Sequence, residues 1–183
     1  EVLEKWTAAL TAIAQQAADR IMAVYSADIA VTTKDDHSPL TEADLASHAV
    51  ICAQLRDLTP DIPILSEESS GAAFHERRHW RRFWLVDPLD GTKEFIGRNG
   101  QFTVNIALIE DHRPVLGVVH VPARNICYFA WDRGGAFRRD AGGAIQPIHT
   151  RRTRSDRLVL AGSRSHGSPE QERFFKALGE NVA

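Results

Sequence analysis

The sequence is short of most features that mark secreted, membrane-spanning or nucleic-acid-coating proteins. It has two cysteines in 183 residues, Cys52 and Cys127. Two thiols build no disulfide framework, and neither has a neighbour at ligand spacing, so both are expected as buried, reduced thiols of a cytoplasmic protein. No apolar run approaches the roughly 18–20 residues of a membrane span. Residues 1–6 are polar and lead into an amphipathic helix rather than a secretory leader, although a start at Glu1 suggests that a few residues precede it. Neither sign of charge dominates: Lys+Arg 22 against Asp+Glu 24 gives −2, too weak a field to favour a nucleic-acid polymer or an anionic membrane. There is no internal repeat and no low-complexity segment. What is present is an ordinary soluble composition, 43% hydrophobic and 25% charged, with length for one domain and part of a second.

The chemistry concentrates in residues 83–95, FWLVDPLDGTKEF. Phe83, Trp84, Leu85 and Val86 form a short apolar run suited to a buried strand. Asp87 and Asp90 then stand three residues apart around Pro88, whose missing N–H is expected to stop the strand ladder. Asp90 is a candidate N-cap for a helix opening at Gly91 and Thr92. Two carboxylates beside a helix N-terminus that favours anions make conflicting demands, which a cation between them and a phosphate would reconcile. Hard divalent cations such as Mg²⁺ take carboxylate and carbonyl oxygens and keep phosphate as a further ligand. The plainer reading is a capped strand–helix turn with incidental acids.

Taken in order, residues 3–25 repeat Leu3, Trp6, Leu10, Ile13, Ala17, Ile21 and Val24 at helical spacing. Residues 29–33 read as a short strand and 34–40 as a polar loop ended by Ser-Pro. Thr41 caps the next helix with Asp44 as the acid of a capping box, and Leu45, His48, Ala49, Cys52 and Leu55 are expected along one face. Residues 64–65 form a strand ending at Ser66-Glu67-Glu68-Ser69, where paired glutamates ordinarily mark a solvated edge. His75-Glu76-Arg77-Arg78-His79 matches HExxH, yet four arginines crowd residues 77–82, and a zinc helix needs an apolar surround and a third ligand. A basic linker is the better reading. Residues 101–109 alternate, with Phe102, Val104, Ile106 and Leu108 on one face and Thr103, Asn105 and Ala107 on the other. Strands at 115–121, 125–131 and 136–138 complete an antiparallel sheet that reads as scaffold. Arg98 and Asn99 are within reach of a substrate, though no spacing requires it. Residues 140–154 form a polar connection, the expected domain boundary. A strand at 158–162, a donor-rich loop Ser163-Arg164-Ser165-His166 and a helix at 169–178 follow.

DPLDGTKEF resembles the central motif of the inositol monophosphatase superfamily. The longer string FWLVDPLDGTKEFIGRNGQFTVNIALIE is similar to its bisphosphate nucleotidase branch, which removes the 3′-phosphate from adenosine 3′,5′-bisphosphate. The likeness runs from the first helix to the end of the chain. It implies a layered α/β (α+β) fold, the αβαβα sandwich of this superfamily, apparently truncated in its second domain. Residues 1–150 would be an N-terminal α+β domain with the metal site and antiparallel sheet. Residues 151–183 would start a C-terminal α/β domain.

SPLTEAD resembles the segment whose Asp pairs with the Thr of DGT to orient the attacking water, which here implies Asp44 and Thr92 as catalytic. SEES resembles a metal-ligand segment and implies Glu67 as ligand, with Glu68 assisting. Asp87, Asp90 and the Leu89 carbonyl would complete the Mg²⁺ ligands, and Asp36 would serve a looser third ion. Glu67, Leu89, Asp90, Gly91 and Thr92 would line the substrate phosphate. SRSH implies Ser163, Arg164 and His166 near the nucleotide. A small-molecule nucleotide substrate, a homodimer and a cytoplasmic location, or a peripheral one at the inner membrane, are further implications.

The chain departs from the pattern at its end. The family carries a Trp-Asp segment whose Asp completes the second metal site, and none follows here. Glu67, Asp87 and Asp90 supply three negative charges against four positive ones for two divalent ions. A fragment of a longer enzyme is therefore expected. Rival readings are a dehalogenase-type phosphatase with an aspartyl nucleophile, whose two acids stand one residue closer, a sibling acting on inositol phosphate or fructose bisphosphate, and a non-catalytic nucleotide- or metal-binding fragment.

Overall fold

The computed structural model describes residues 2–27, 31–33, 39–69, 73–150, 162 and 167–178. The chain divides into two compact units, residues 1–148 and 149–183.

The first unit opens with α1 (Val2–Tyr25). Its stripe of Leu10, Ile13, Ala14, Ala17 and Ile21 is buried, and Leu3, Trp6 and Val24 pack against the core at its ends. The strands β1 (Val31–Thr33) and β2 (Pro39–Thr41) pair antiparallel, so the second falls where a loop is expected from sequence. Helix α2 (Glu42–Leu58) begins with the expected capping box: Asp44 Oδ2 accepts from the Thr41 N–H at 2.8 Å. Its inward face differs from the expectation. Ala43, Asp44, Ser47, Ile51, Cys52 and Leu55 are buried, whereas Leu45 is 49% exposed and Ala49 lies in solvent. The buried stripe is shifted by one position because two polar side chains, Asp44 and Ser47, lie on it in the first turns.

A seven-stranded sheet follows in sequence order: β3 (Ile64–Ser66), β4 (Arg82–Asp90), β5 (Thr103–Glu110), β6 (Arg113–Val121), β7 (Ile126–Trp131), β8 (Gly135–Arg139) and β9 (Ile145–Ile148). The β3–β4 pair is parallel and all the others are antiparallel. The short helix α3 (Phe74–Arg77) lies in the β3–β4 connection, and α4 (Thr92–Ile96) follows β4. Period-two alternation sends Trp84, Val86, Val104, Ile106, Leu108, Leu116, Val118 and Cys127 to the face covered by α1 and α2. Leu85, Val119 and Tyr128 on the other face are exposed. Trp84, fully buried, donates from Nε1 to Thr59 Oγ1 at 2.8 Å, so its polar edge is satisfied inside the core.

Two strand expectations are corrected. The ladder does not stop at Pro88: β4 continues to Asp90. Asp87 pairs with Asn105 and Asp90 with Thr103, so three steps on β4 match two on β5. That bulge leaves Pro88, which has no N–H to give, out of register without ending the strand. The connection at 140–154 contains β9, whose exposed residues pair with β8; a strand buried on neither face has no apolar alternation to betray it.

In the second unit, α5 (Pro169–Ala177) has Ser168 as N-cap, its Oγ accepting from the Gln171 N–H at 3.2 Å, with Pro169 in the first turn. The strand expected at 158–162 lies, but for Gly162, outside the described residues.

Candidate active site

Parallel pairing of β3 with β4 sets the site. Ser66 is in register with Val86, so the residues that follow each strand emerge side by side. The Glu67 N–H donates to the Val86 carbonyl at 3.0 Å, which holds Glu67 next to Asp87. The bulge then takes Pro88 and Leu89 out of the ladder and leaves Asp87 and Asp90, paired on either side of it, close together on the strand.

Asp87 is the most perturbed acid described. Its Oδ1 is buried with no hydrogen-bond partner. Burial first, then the charges of Glu67 and Asp90 and a hydrogen bond with the Glu67 carboxyl, push its pKa up to about 7, against the Leu89 N–H that favours the ionised form. Across the ladder, Asn105 donates from Nδ2 to Asp90 Oδ2 at 3.2 Å. Its own Oδ1 is buried and unpartnered. Two orphaned acceptor oxygens on residues paired across β4 and β5 are an unsatisfied arrangement that a cation would relieve. Asp90 is not the N-cap expected of it. Gly91 takes that position, with no side-chain cap.

Gly91 has a reason to be glycine. Its φ is +96°, and a Cβ there would stand 2.9 Å from the Gln101 carbonyl oxygen. The turn delivers Thr92, whose Oγ1 donates to Asp44 Oδ1 at 3.2 Å and lies 3.5 Å from the Leu89 carbonyl. Asp44 is buried, and its other oxygen is taken by the Thr41 N–H and Oγ1. Phe95 anchors the five-residue α4 in a ring cluster with Tyr25 and Phe102, centroids 5.1 and 5.2 Å away. Glu67, Asp87 and Asn105 line a cleft of about 640 Å³ with Leu65, Arg77 and Val119.

The structure therefore brings together Glu67, Asp87, Leu89, Asp90, Gly91, Thr92 and Asp44. Glu68 is half-buried beside them. Ser163, Arg164, His166 and Asp36 lie outside the described residues. Arg98 is occupied elsewhere: it donates to the Tyr25 and Ala27 carbonyls and stacks on the Tyr25 ring, 5.1 Å from its centroid. Asn99 accepts from the Gln101 N–H at 2.9 Å. The HExxH residues do not share a helix, since α3 ends at Arg77. His75 is exposed, and His79 Nε2 accepts from Arg78 Nε at 3.0 Å. Sequence reasoning placed Asn105 on a scaffold face and missed its contact with Asp90. The signal was a polar residue mid-strand on the alternate face, but its partner follows only from the β4–β5 register.

The model of the inositol monophosphatase family matches residues 2–182. The chain belongs to the inositol monophosphatase family. It is 50% identical over 171 residues to the 3′(2′),5′-bisphosphate nucleotidase CysQ of Salmonella typhimurium and 49% identical to that of Escherichia coli O6:H1. In each case the match covers 92% of this chain and 68% of the relative. The crystal structure of CysQ from Bacteroides thetaiotaomicron superposes with a TM-score of 0.77 at 36% identity, covering 93% of this chain and 68% of that one.

Inositol monophosphatase family members are metal-dependent phosphatases. The donor set here fits a hard divalent cation: carboxylates of Glu67, Asp87 and Asp90, a backbone carbonyl, and buried oxygens of Asp87 and Asn105 that no protein group satisfies. Among the described residues, no group of three or more His, Cys, Asp or Glu side chains is gathered closely enough to hold a metal ion by itself, so a cation here would also draw on the carbonyl and amide oxygens. Glu67 and Asp90 each neighbour Asp87, the first through a hydrogen bond between the two carboxyls. No helix among the described residues is long and apolar enough to cross a membrane.

Proposed function

We propose that this protein is a Mg²⁺-dependent phosphatase that removes the 3′-phosphate from adenosine 3′,5′-bisphosphate, giving AMP and phosphate. The observation that carries the reading is Asp87: a carboxyl with a buried, unpartnered oxygen, crowded by Glu67 and Asp90 one turn from the Thr92–Asp44 pair. Such a group is poorly suited to a structural role and well suited to hold a cation. Identity of about half to the bacterial nucleotidases supports the choice of substrate.

Glu67, Asp87, Asp90 and the Leu89 carbonyl would hold divalent cations, which supply Lewis-acid neutralisation of the phosphoryl oxygens. The N–H groups of Gly91 and Thr92 face the phosphate, and the glycine lets that backbone approach closely. The Thr92 hydroxyl donates its hydrogen bond to Asp44 and thereby presents a lone pair to the attacking water. As the water oxygen bonds to phosphorus and the P–O3′ bond breaks, the water proton passes to Thr92 while that of Thr92 passes to Asp44. The leaving 3′-oxygen takes a proton from solvent.

The test compares phosphate release by the full-length protein from adenosine 3′,5′-bisphosphate, inositol monophosphate and fructose 1,6-bisphosphate, with Mg²⁺ and with chelator. The reading expects the nucleotide to lead by kcat/KM, with release abolished by chelator. Preference for either sugar phosphate would move the protein to a sibling activity. A trapped phospho-aspartate would replace direct water attack with a covalent route.

A further inference from the structure

Helix α2 presents three polar side chains on one face, Asp44, Ser47 and His48, at the i, i+3 and i+4 positions that share a stripe. Below them the same stripe is core: Ile51, Cys52 and Leu55. Each of the three grips a different segment of the site. Asp44 takes the Thr92 hydroxyl. Ser47, fully buried, donates from Oγ to the Pro88 carbonyl at 2.7 Å. His48 Nδ1 lies 2.8 Å from Ser66 Oγ, and the Cys52 thiol approaches the same nitrogen at 3.6 Å.

Those segments need holding. The register shift between Asp87 and Asp90 takes Pro88 out of the ladder, so its buried carbonyl is satisfied by the Ser47 hydroxyl. Glu67 follows the last residue of a three-residue edge strand, and its carboxyl shares a hydrogen bond with that of Asp87. With only β4 beside it, that end of β3 is held by backbone bonds on one side alone.

Resting on the phosphatase reading, we propose that Ser47 and His48 are positioning residues: from one turn of α2 they fix the separation of Glu67 from the Asp87–Asp90 turn and so set the affinity of the site for its divalent cation. Neither touches the reacting atoms.

The test uses the full-length protein with Ser47→Ala, His48→Ala and His48→Asn, the last keeping a polar atom where Nδ1 stands. Mn²⁺ binding is followed by electron paramagnetic resonance, alongside Mg²⁺ half-saturation of phosphate release and thermal melting. Loss of a group that orients a metal ligand costs about 10–100-fold in metal affinity. The two alanine variants are expected to weaken Mn²⁺ binding and raise the Mg²⁺ requirement by about tenfold, with the nucleotide KM little changed at saturating Mg²⁺ and with His48→Asn restoring most of the loss. A purely structural role would lower the melting temperature and leave ion affinity at its wild-type value, which overturns the proposal, as does His48→Asn behaving like His48→Ala. Should Ser47→Ala fail to fold, the His48 pair decides. Wild-type protein that binds Mn²⁺ without releasing phosphate sinks the phosphatase reading while the Mn²⁺ series still judges the positioning claim. Wild-type protein that binds no ion overturns both.

Discussion

Asp87 sits where a carboxylate is least comfortable: partly buried, without a donor on Oδ1, and beside two more acids. Replacing it with Asn removes the repulsion and keeps the shape. In chelator, Asp87→Asn is therefore expected to melt at a higher temperature than the wild type, the usual trade of stability against a strained site. An unchanged or lower Tm would show that the acid is comfortable as it stands. Gly91 makes a complementary case. Its positive φ and the nearby Gln101 carbonyl leave no room for a Cβ, so Gly91→Ala is expected to cost about 1–3 kcal/mol by denaturant titration, with phosphate release falling as Thr92 is displaced.

At the scale of elements, the site is a parallel strand pair, one bulge and one helix turn. The alternation of Phe102, Val104, Ile106 and Leu108 was legible because one face of β5 is wholly buried. The capping box at Thr41 was legible because it is local. The run of β4 through Pro88 was not, because it depends on a register that only β5 defines. Nor was the true face of α2: burying Asp44 and Ser47 while exposing Leu45 contradicts the apolar pattern, and only the segments those polar groups grip explain it. The motif residues Glu67, Asp87, Asp90 and Thr92 were readable from sequence, whereas Asn105 required the pairing. Asn105→Ala frees Asp90 and leaves its carboxylate without a donor. We expect the Mg²⁺ requirement to rise several-fold with little change in fold, read by Mg²⁺ titration of phosphate release and by circular dichroism.

Across the molecule, the sheet core carries a pH dependence independent of the site. His120 on β6 is 1% exposed, and neither ring nitrogen has a partner. Burial, then the Arg139 charge, pull its pKa down to about 4, against a weaker opposing pull from Asp19. The folded value lies below the unfolded one, so the unfolded chain holds more protons at His120 between about pH 4 and 6.5, and the His120 contribution to stability falls as pH drops through that window, opposite in sign to that of the raised Asp87. Relative to the wild type, His120→Gln is expected to gain Tm as pH drops from 7 to 5; a Tm difference that does not change with pH would place the dependence elsewhere. The proposed phosphoryl transfer requires the acids at the end of β4 to hold a divalent cation. Its most direct test is Mg²⁺-dependent phosphate release from adenosine 3′,5′-bisphosphate by full-length Asp87→Asn protein. A fall beyond the roughly hundredfold typical of losing a mere orienting group is predicted, and near-normal release would contradict it.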